Sequence, residues 1–441
     1  MAILSEQEAK IVISKALGFS GSDEIFVSLK GENNGNIRYA GNSVSTSGET
    51  SNISLSVTSV FGKKSGTATT SELDEEAIRK VVSRAEELAR LAPDNPEYVK
   101  GLQAQQFQPT PSFFTSTDQI DADYRAQGAL HSIESGKKAG LNVAGFIQNA
   151  SGFTAIGNDK GLFGYNKASS VNFSATVRTE DGSGSGYAAQ DYNDSAHLNI
   201  KSATDIAVQK ALASSKARAL EPGKYTVILE PQAGQELLRN LVSSFDARSA
   251  EEGRSFLSKK GGGTRLGEKL FDEKVTIYSD PFHRDIPSLP FSPDPGDGRP
   301  IEKTVWVEKG VVKNLSYSRY WADKKSVKPI VAAGGFIFEG GTKSLAELIK
   351  NTERGILVTR LWYIRAVDPQ TLLYTGLTRD GTFYIENGQI KYPVKNFRFN
   401  ESPVIMLNNL EEAGIPQRVR GSLVPPLKIR DFTFTSLSDA V

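Results

Sequence analysis

Cysteine is absent from these 441 residues, and histidine occurs only at His131, His197 and His283. Without thiols the chain can form no disulfide, thiolate nucleophile, iron–sulfur cluster or Cys-containing zinc site. An excess of charge is missing too: 52 Lys+Arg against 51 Asp+Glu leave a net charge of +1. No long-range field therefore gathers nucleic acid or an anionic membrane surface. Long apolar runs are also lacking. The longest near-apolar stretch, Pro329 to Phe338, is ten residues with two glycines, too short to span a bilayer. The N-terminal MAILSEQEAKIVISKAL places acidic and polar residues where a signal peptide needs a basic start and an unbroken apolar core. The expectation is a cytoplasmic protein with neither nucleic-acid nor membrane partners.

The length points to two or three domains. Ser5 and Glu8 have capping-box spacing, which predicts a helix from there to about Leu17. Strands are expected near Glu24–Lys30, Ile37–Thr46 and Asn52–Val60, the last with Ile53, Leu55 and Val57 on one face. Ser71 and Asp74 then start a helix with an Ile78, Val81, Val82, Ala85, Leu88 stripe that Pro93 stops. A similar order recurs: a helix over about Asp118–Lys138, strands near Asn142–Gln148, Phe153–Ile156, Leu162–Tyr165 and Val171–Val177, and a helix from Ala203 to about Ala219. The order suggests two related α+β units, residues 1–112 and 113–222, before a β-rich, mainly antiparallel domain over 223–441. The fold class is α+β.

In the C-terminal part strands are expected at Tyr225–Leu229, Val275–Tyr278, Thr304–Glu308, Val311–Ser316, Gly355–Ala366 and Thr371–Thr378. Asn387-Gly388 marks a hairpin. Six prolines and two glycines between Asp280 and Pro300 predict a long loop over the surface or across a cleft.

Few motifs carry chemistry. Gly182–Gly186 (GSGSG) precedes a strand-like stretch instead of a helix, so a hairpin turn accounts for it better than a phosphate cradle. Gly262–Glu268 approaches a P-loop but has Glu268 where the lysine belongs, and Gly261–Gly263 reads as a flexible link. Asp280, His283 and Asp285 could bind a metal or move protons, making the chain a hydrolase in its own right; a loop histidine hydrogen-bonded to a nearby carboxylate is the plainer alternative. His131 and His197 read as structural or exposed. Arg360, Arg365 and Arg379, set among aromatics, could pair bidentately with a carboxylate, either a structural partner or a peptide terminus.

Several runs together resemble the TldD/PmbA family of metallopeptidase-related proteins, and more closely its TldE-like branch. They are EPQAG-x-x-LL from Glu230 to Leu238, SFLSKKGGGTRLG from Ser255 to Gly267, VTIYSDP from Val275 to Pro281, TGLTRDGTFYIENGQIKYPV from Thr375 to Val394, and NESPVIMLNNLEEAG from Asn400 to Gly414. The resemblance covers nearly the whole chain and is densest after residue 220. It implies a zinc-peptidase scaffold whose active branch carries LL-H-E-x-x-x-H, the histidines holding zinc and the glutamate serving as general base. After Leu237-Leu238 those positions fall on Arg239, Asn240 and Ser244, within Arg239-Asn240-Leu241-Val242-Ser243-Ser244. A cation, an amide and a hydroxyl cannot replace them.

The resemblance thus implies an inactive, TldE-like half of a heterodimer, with no catalytic residue, metal or cofactor of its own. Zinc would reside in a TldD-like partner that cleaves small or unfolded peptides. This chain would complete the peptide channel and extend the bound peptide as an added strand, with Arg360, Arg365 and Arg379 as candidate contacts. A homodimeric peptide-binding scaffold is the remaining alternative.

Overall fold

The computed structural model describes residues 3–331 and 334–438. Positions 332 and 333, within the near-apolar Pro329–Phe338 run, lie outside the described residues. Among the described residues no helix is long and apolar enough to cross a membrane.

The N-terminal half is a helix, three antiparallel strands and a helix, used twice. The first set is α1 (Glu6–Gly18), β1 (Glu24–Ala40), β2 (Ser43–Phe61), β3 (Lys64–Thr70) and α2 (Glu75–Leu91). The second is α3 (Ala122–Lys138), β4 (Leu141–Asn158), β5 (Phe163–Thr179), β6 (Ser185–Tyr192) and α4 (Ile200–Ala213). The Ser5–Glu8 capping box forms, with both backbone amides bonded across it. All six strands make one sheet, in order β3-β2-β1-β4-β5-β6, with β1 against β4 at its centre. Each set's first turn ties down the other's first strand: Asn42 accepts from the Val143 amide at 2.8 Å, and Asp159 from that of Ile25 at 3.1 Å.

The long strands depart from the sequence reading. Glu24–Lys30 and Ile37–Thr46 were expected as separate strands, yet β1 runs unbroken through the polar Gly31–Asn36 and turns only at Gly41-Asn42. β4 and β5 likewise absorb four expected strands into two. Polar segments stay extended because β1 is paired on both sides, β2 on one and β4 on the other, so the ladder overrides local pattern. α4 ends at Ala213, not near Ala219. Gly182–Gly184 falls in the turn between β5 and β6, as expected.

Helices α1 and α2 pack Ala9, Ile13, Ile78, Val82 and Ala85 onto Val27, Leu29, Leu55 and Val57 of the sheet. Helices α3 and α4 place Ala129, Ile133, Ala203 and Ala207 against Val143, Ile147, Phe173 and Val177. Arg125 of α3 is 1% exposed and lies over Gly35, where any Cβ would meet its guanidinium at 2.1 Å. It donates to Asn149 at 2.7 Å and pairs with Glu49, the two residues that flank Gly35 on β4 and β2. One side chain therefore pins three strands in register.

The C-terminal part holds two further sheets. The larger runs Leu361–Asp368, Leu373–Thr378, Phe397–Glu401, Leu427–Leu437, β7 (Lys224–Leu229), Arg354–Val358, Thr382–Glu386 and Gln389–Pro393, with Leu410–Ala413 paired to Leu427–Leu437 off this path. The smaller joins short strands, among them Thr304–Glu308, Ile277–Ser279 and Gln417–Val419. The expected Gly355–Ala366 strand is broken after Val358, because the Thr359 hydroxyl turns to the Asp380 and Gly381 carbonyls. The expected Val311–Ser316 strand keeps only Val311–Val312. Gly261–Gly263 lie in a turn closed by the Ser258–Thr264 bridge, with φ of +90°, +109° and +85°. The Asp280–Pro300 segment is a long connection, as expected, and buries Phe291 against Phe107, Ile156 and Leu162 of the N-terminal half.

Candidate functional site

β7 runs into helix α5 (Pro231–Ser243), which Glu230 precedes and Pro231 opens. Leu237, Leu238 and Leu241 are fully buried and fix the helix on the core. The opposite face shows Arg239 to solvent and Asn240 at its edge. Ser244, at the C-cap, donates its hydroxyl to the Asn240 carbonyl at 2.7 Å. A free guanidinium repels a cation, an amide is a weak ligand, and this hydroxyl is spent on the backbone. The residues at these positions do not fit a zinc ion.

The Asp280, His283, Asp285 alternative does not assemble either. Asp280 accepts from the Phe282 amide at 3.0 Å, His283 Nδ1 accepts from the Asp285 amide at 3.3 Å, and the Asp285 carboxylate faces Arg284 at 3.4 Å. The histidine is thus held by a backbone amide instead of the carboxylate expected for a loop histidine. Among the described residues no group of three His, Cys, Asp or Glu side chains converges to hold a metal.

A cavity of about 510 Å³ opens between the outer edge of β6, helix α4, the start of α5 and the Gln417–Val419 strand. In its lining Lys210 of α4 meets Glu230 at 2.6 Å, both largely buried. Arg418, which lines the cavity, belongs to a clamp. Asp191 of β6 accepts from the Arg420 amide at 2.6 Å, the Gly421 amide at 2.8 Å and Arg418 Nε at 3.0 Å. Arg420 and Gly421 both have positive φ, +48° and +70°, which turns their successive amides toward one anion. Arg418 also donates to Asn193 and to the Asp285 carbonyl. Burial pushes the Tyr192 hydroxyl pKa upward, Asp191 adds to this, and Arg418 opposes it. His197 lines the same cavity, exposed, 4.0 Å from Asp194.

β6 ends its sheet, so among the described residues its outer edge carries no strand. Ser185 turns its amide and carbonyl away from β5 to the Ser214 hydroxyl. By strand alternation Tyr187 and Ala189 present theirs the same way, beside the cavity. The site offers backbone hydrogen bonding, aromatic surface and paired charges.

The three arginines part company. Arg360 bonds Asp380 at 2.6 Å and lies 3.7 Å from the Tyr187 ring centre. Arg379 approaches Asp380 at 3.9 Å and Trp362 at 4.9 Å. Asp380 is 1% exposed and also accepts from Ser185. Arg360 and Arg379 therefore meet around a structural carboxylate that ties β6 to the C-terminal part. Arg365 sits apart, over Tyr363 on the edge strand Leu361–Asp368. None of the three lines the cavity. Sequence reading missed Asp191, Lys210, Glu230 and Arg418, which lie far apart along the chain; the one local signal was Tyr187–Tyr192, an aromatic and polar stretch directly after a hairpin turn.

Comparison with known proteins is consistent along the chain. Models of PmbA/TldA metallopeptidase domain 1, central domain and C-terminal domain match residues 27–89, 117–215 and 222–436. The metalloprotease PmbA of Escherichia coli is 23% identical over 96% of this chain and 95% of that protein. A metalloprotease PmbA homolog of Haemophilus influenzae is 24% identical over 81% of this chain and 79% of that one. The crystal structure of TldE from Thermococcus kodakarensis superposes with a TM-score of 0.87 over 97% of this chain and 99% of that chain, at 18% identity. Three domain models in sequence order, matched from one end to the other, place this chain in the TldD/PmbA family of metallopeptidase-related proteins, with a TldE-like fold.

Proposed function

We propose that this chain is the non-catalytic subunit of a zinc peptidase complex, shaping the channel in which a metal-bearing TldD-like partner cleaves small or unfolded peptides. The observation that carries the reading is α5: it is well packed and in place, with Arg239, Asn240 and Ser244 where the resemblance puts ligands and base. Selection for metal binding would not leave a cation there. What remains suits holding, not cutting. The outer edge of β6 can take an extended peptide as a further strand, with Tyr187 and Tyr192 beside it.

Ala189→Pro tests this. It removes an outward amide while leaving the β5 ladder intact, since that amide points away from β5. With a family member bearing HExxxH, the wild-type chain should support cleavage of an unfolded peptide, and the variant should raise KM at least tenfold at unchanged thermal stability. Equal KM for both chains would remove β6 from the reading. Full activity of the metal-bearing member without this chain would remove the reading itself.

A further inference from the structure

The two faces of β6 meet different surroundings at its free edge. Ala188 packs with the cluster that holds Ala203, on the side of helices α3 and α4. Tyr187 and Ala189 point the other way, where Phe146 and Ser174 join them around a smaller hollow of about 170 Å³. Asp191, Gln232 and Arg420 give that hollow a polar lining. A peptide strand added to the edge sends every second side chain to the α4 side, whichever way it runs.

On that side α4 turns Ala203, Ile206 and Lys210 to the larger cavity, a stripe at helical spacing. Ala203 is 1% exposed and holds the helix on the sheet, whereas Ile206 is 41% exposed. A lone isoleucine at a convex surface carries no information, but this one stands in a concave lining to which Pro231, Val419 and Leu423 add apolar surface. Ala188 and Ala203 contribute only methyl groups beside it, which leaves room for a further side chain. Lys210, one turn beyond Ile206, is no receptor for an acidic group, because Glu230 already neutralises its ammonium and both are largely buried. A charged side chain entering there would lose its water and gain no counter-charge from that pair.

We infer, resting on the proposed function, that the α4 side of the cavity is an apolar subsite built on Ile206, and that it selects extended peptides with a branched aliphatic residue opposite Ala188. The preferred peptide alternates: an aliphatic side chain towards Ile206, flanked by polar ones towards Tyr187 and Ala189, where Asp191, Gln232 and Arg420 line the smaller hollow. Ile206 is a specificity-determining residue in this scheme. Backbone pairing along β6 binds any extended chain, and this subsite ranks one sequence above another.

The test uses short unfolded peptides of Ser, Thr and Gly in which one position, scanned from end to end, holds Leu, Ser or Asp. They are assayed with this chain and an HExxxH-bearing family member together. At one position of the scan Leu should lower KM at least about tenfold relative to Ser, and Asp should do no better than Ser. Ile206→Ser should cut the Leu-to-Ser ratio below about threefold while Ile206→Leu keeps it. Melting temperatures of the three chains should agree, since Ile206 is partly exposed on its helix. A wild type with equal KM for Leu and Ser at every position would overturn the subsite. So would an undiminished ratio in Ile206→Ser, which would place the preference for leucine in the metal-bearing member. Turnover that never depends on this chain would overturn the subsite and the proposed function together, an outcome distinct from dependence on the chain without selectivity.

Discussion

Single side chains set the register of this protein. Arg125 satisfies acceptors on two strands while filling the space above Gly35 on the third. Arg125→Met should cost about 2–3 kcal/mol, the lower end for breaking a buried pair because Glu49 can rehydrate. Urea unfolding would read this, and Gly35→Ala, which drives a methyl into the guanidinium, should fall in the same direction. Glu24 gives a pH-dependent contribution. Burial raises its pKa, but the Lys160 ammonium, the Tyr98 hydroxyl and the Gly101 amide outweigh burial and hold it below the ordinary glutamate value. Because the folded pKa is the lower one, this stability is complete at neutral pH and fades as pH falls below about 4.5 toward the folded value. Melting temperatures between pH 3 and 6 should fall more steeply for the wild type than for Glu24→Gln; parallel curves would contradict the assignment.

The clamp on Asp191 joins β6 to the Arg418–Gly421 turn. Asp191→Ala should raise amide exchange at Arg420 and Gly421 at least tenfold while leaving the β1–β4 ladder protected, since the turn loses its shared acceptor and the sheet core does not. Uniform loss of protection would mean that Asp191 supports the whole fold and not that turn alone. The elements also mark what sequence could disclose. α2 was legible because Ile78, Val81, Val82 and Ala85 repeat at helical spacing and Asp74 caps it. Gly31–Asn36 was not, since its extended state is imposed by neighbours on both sides. Arg239, Asn240 and Ser244 were legible because one helix and its C-cap carry all three after Leu237-Leu238. The cavity was not: Asp191 and Arg418 meet only through the tertiary fold, and the pairing of Arg360 with Asp380 follows from the break after Val358.

At the scale of the molecule, two similar α/β sets share one sheet and a β-rich part closes over its β6 end, holding a peptide-sized cavity beside a free strand edge. The helix from which the family's chemistry would be run is intact in shape and changed in substance, and the proposed function gives this chain positioning and a metal-bearing subunit cleavage. Metal content and peptide turnover of the purified chain, dialysed against zinc and assayed with and without an HExxxH-bearing family member, test that division most directly. The expected outcome is less than about a tenth of an equivalent of zinc and no turnover for the chain alone, with turnover only in the mixture. One tightly held zinc per chain together with cleavage by the chain alone would contradict it.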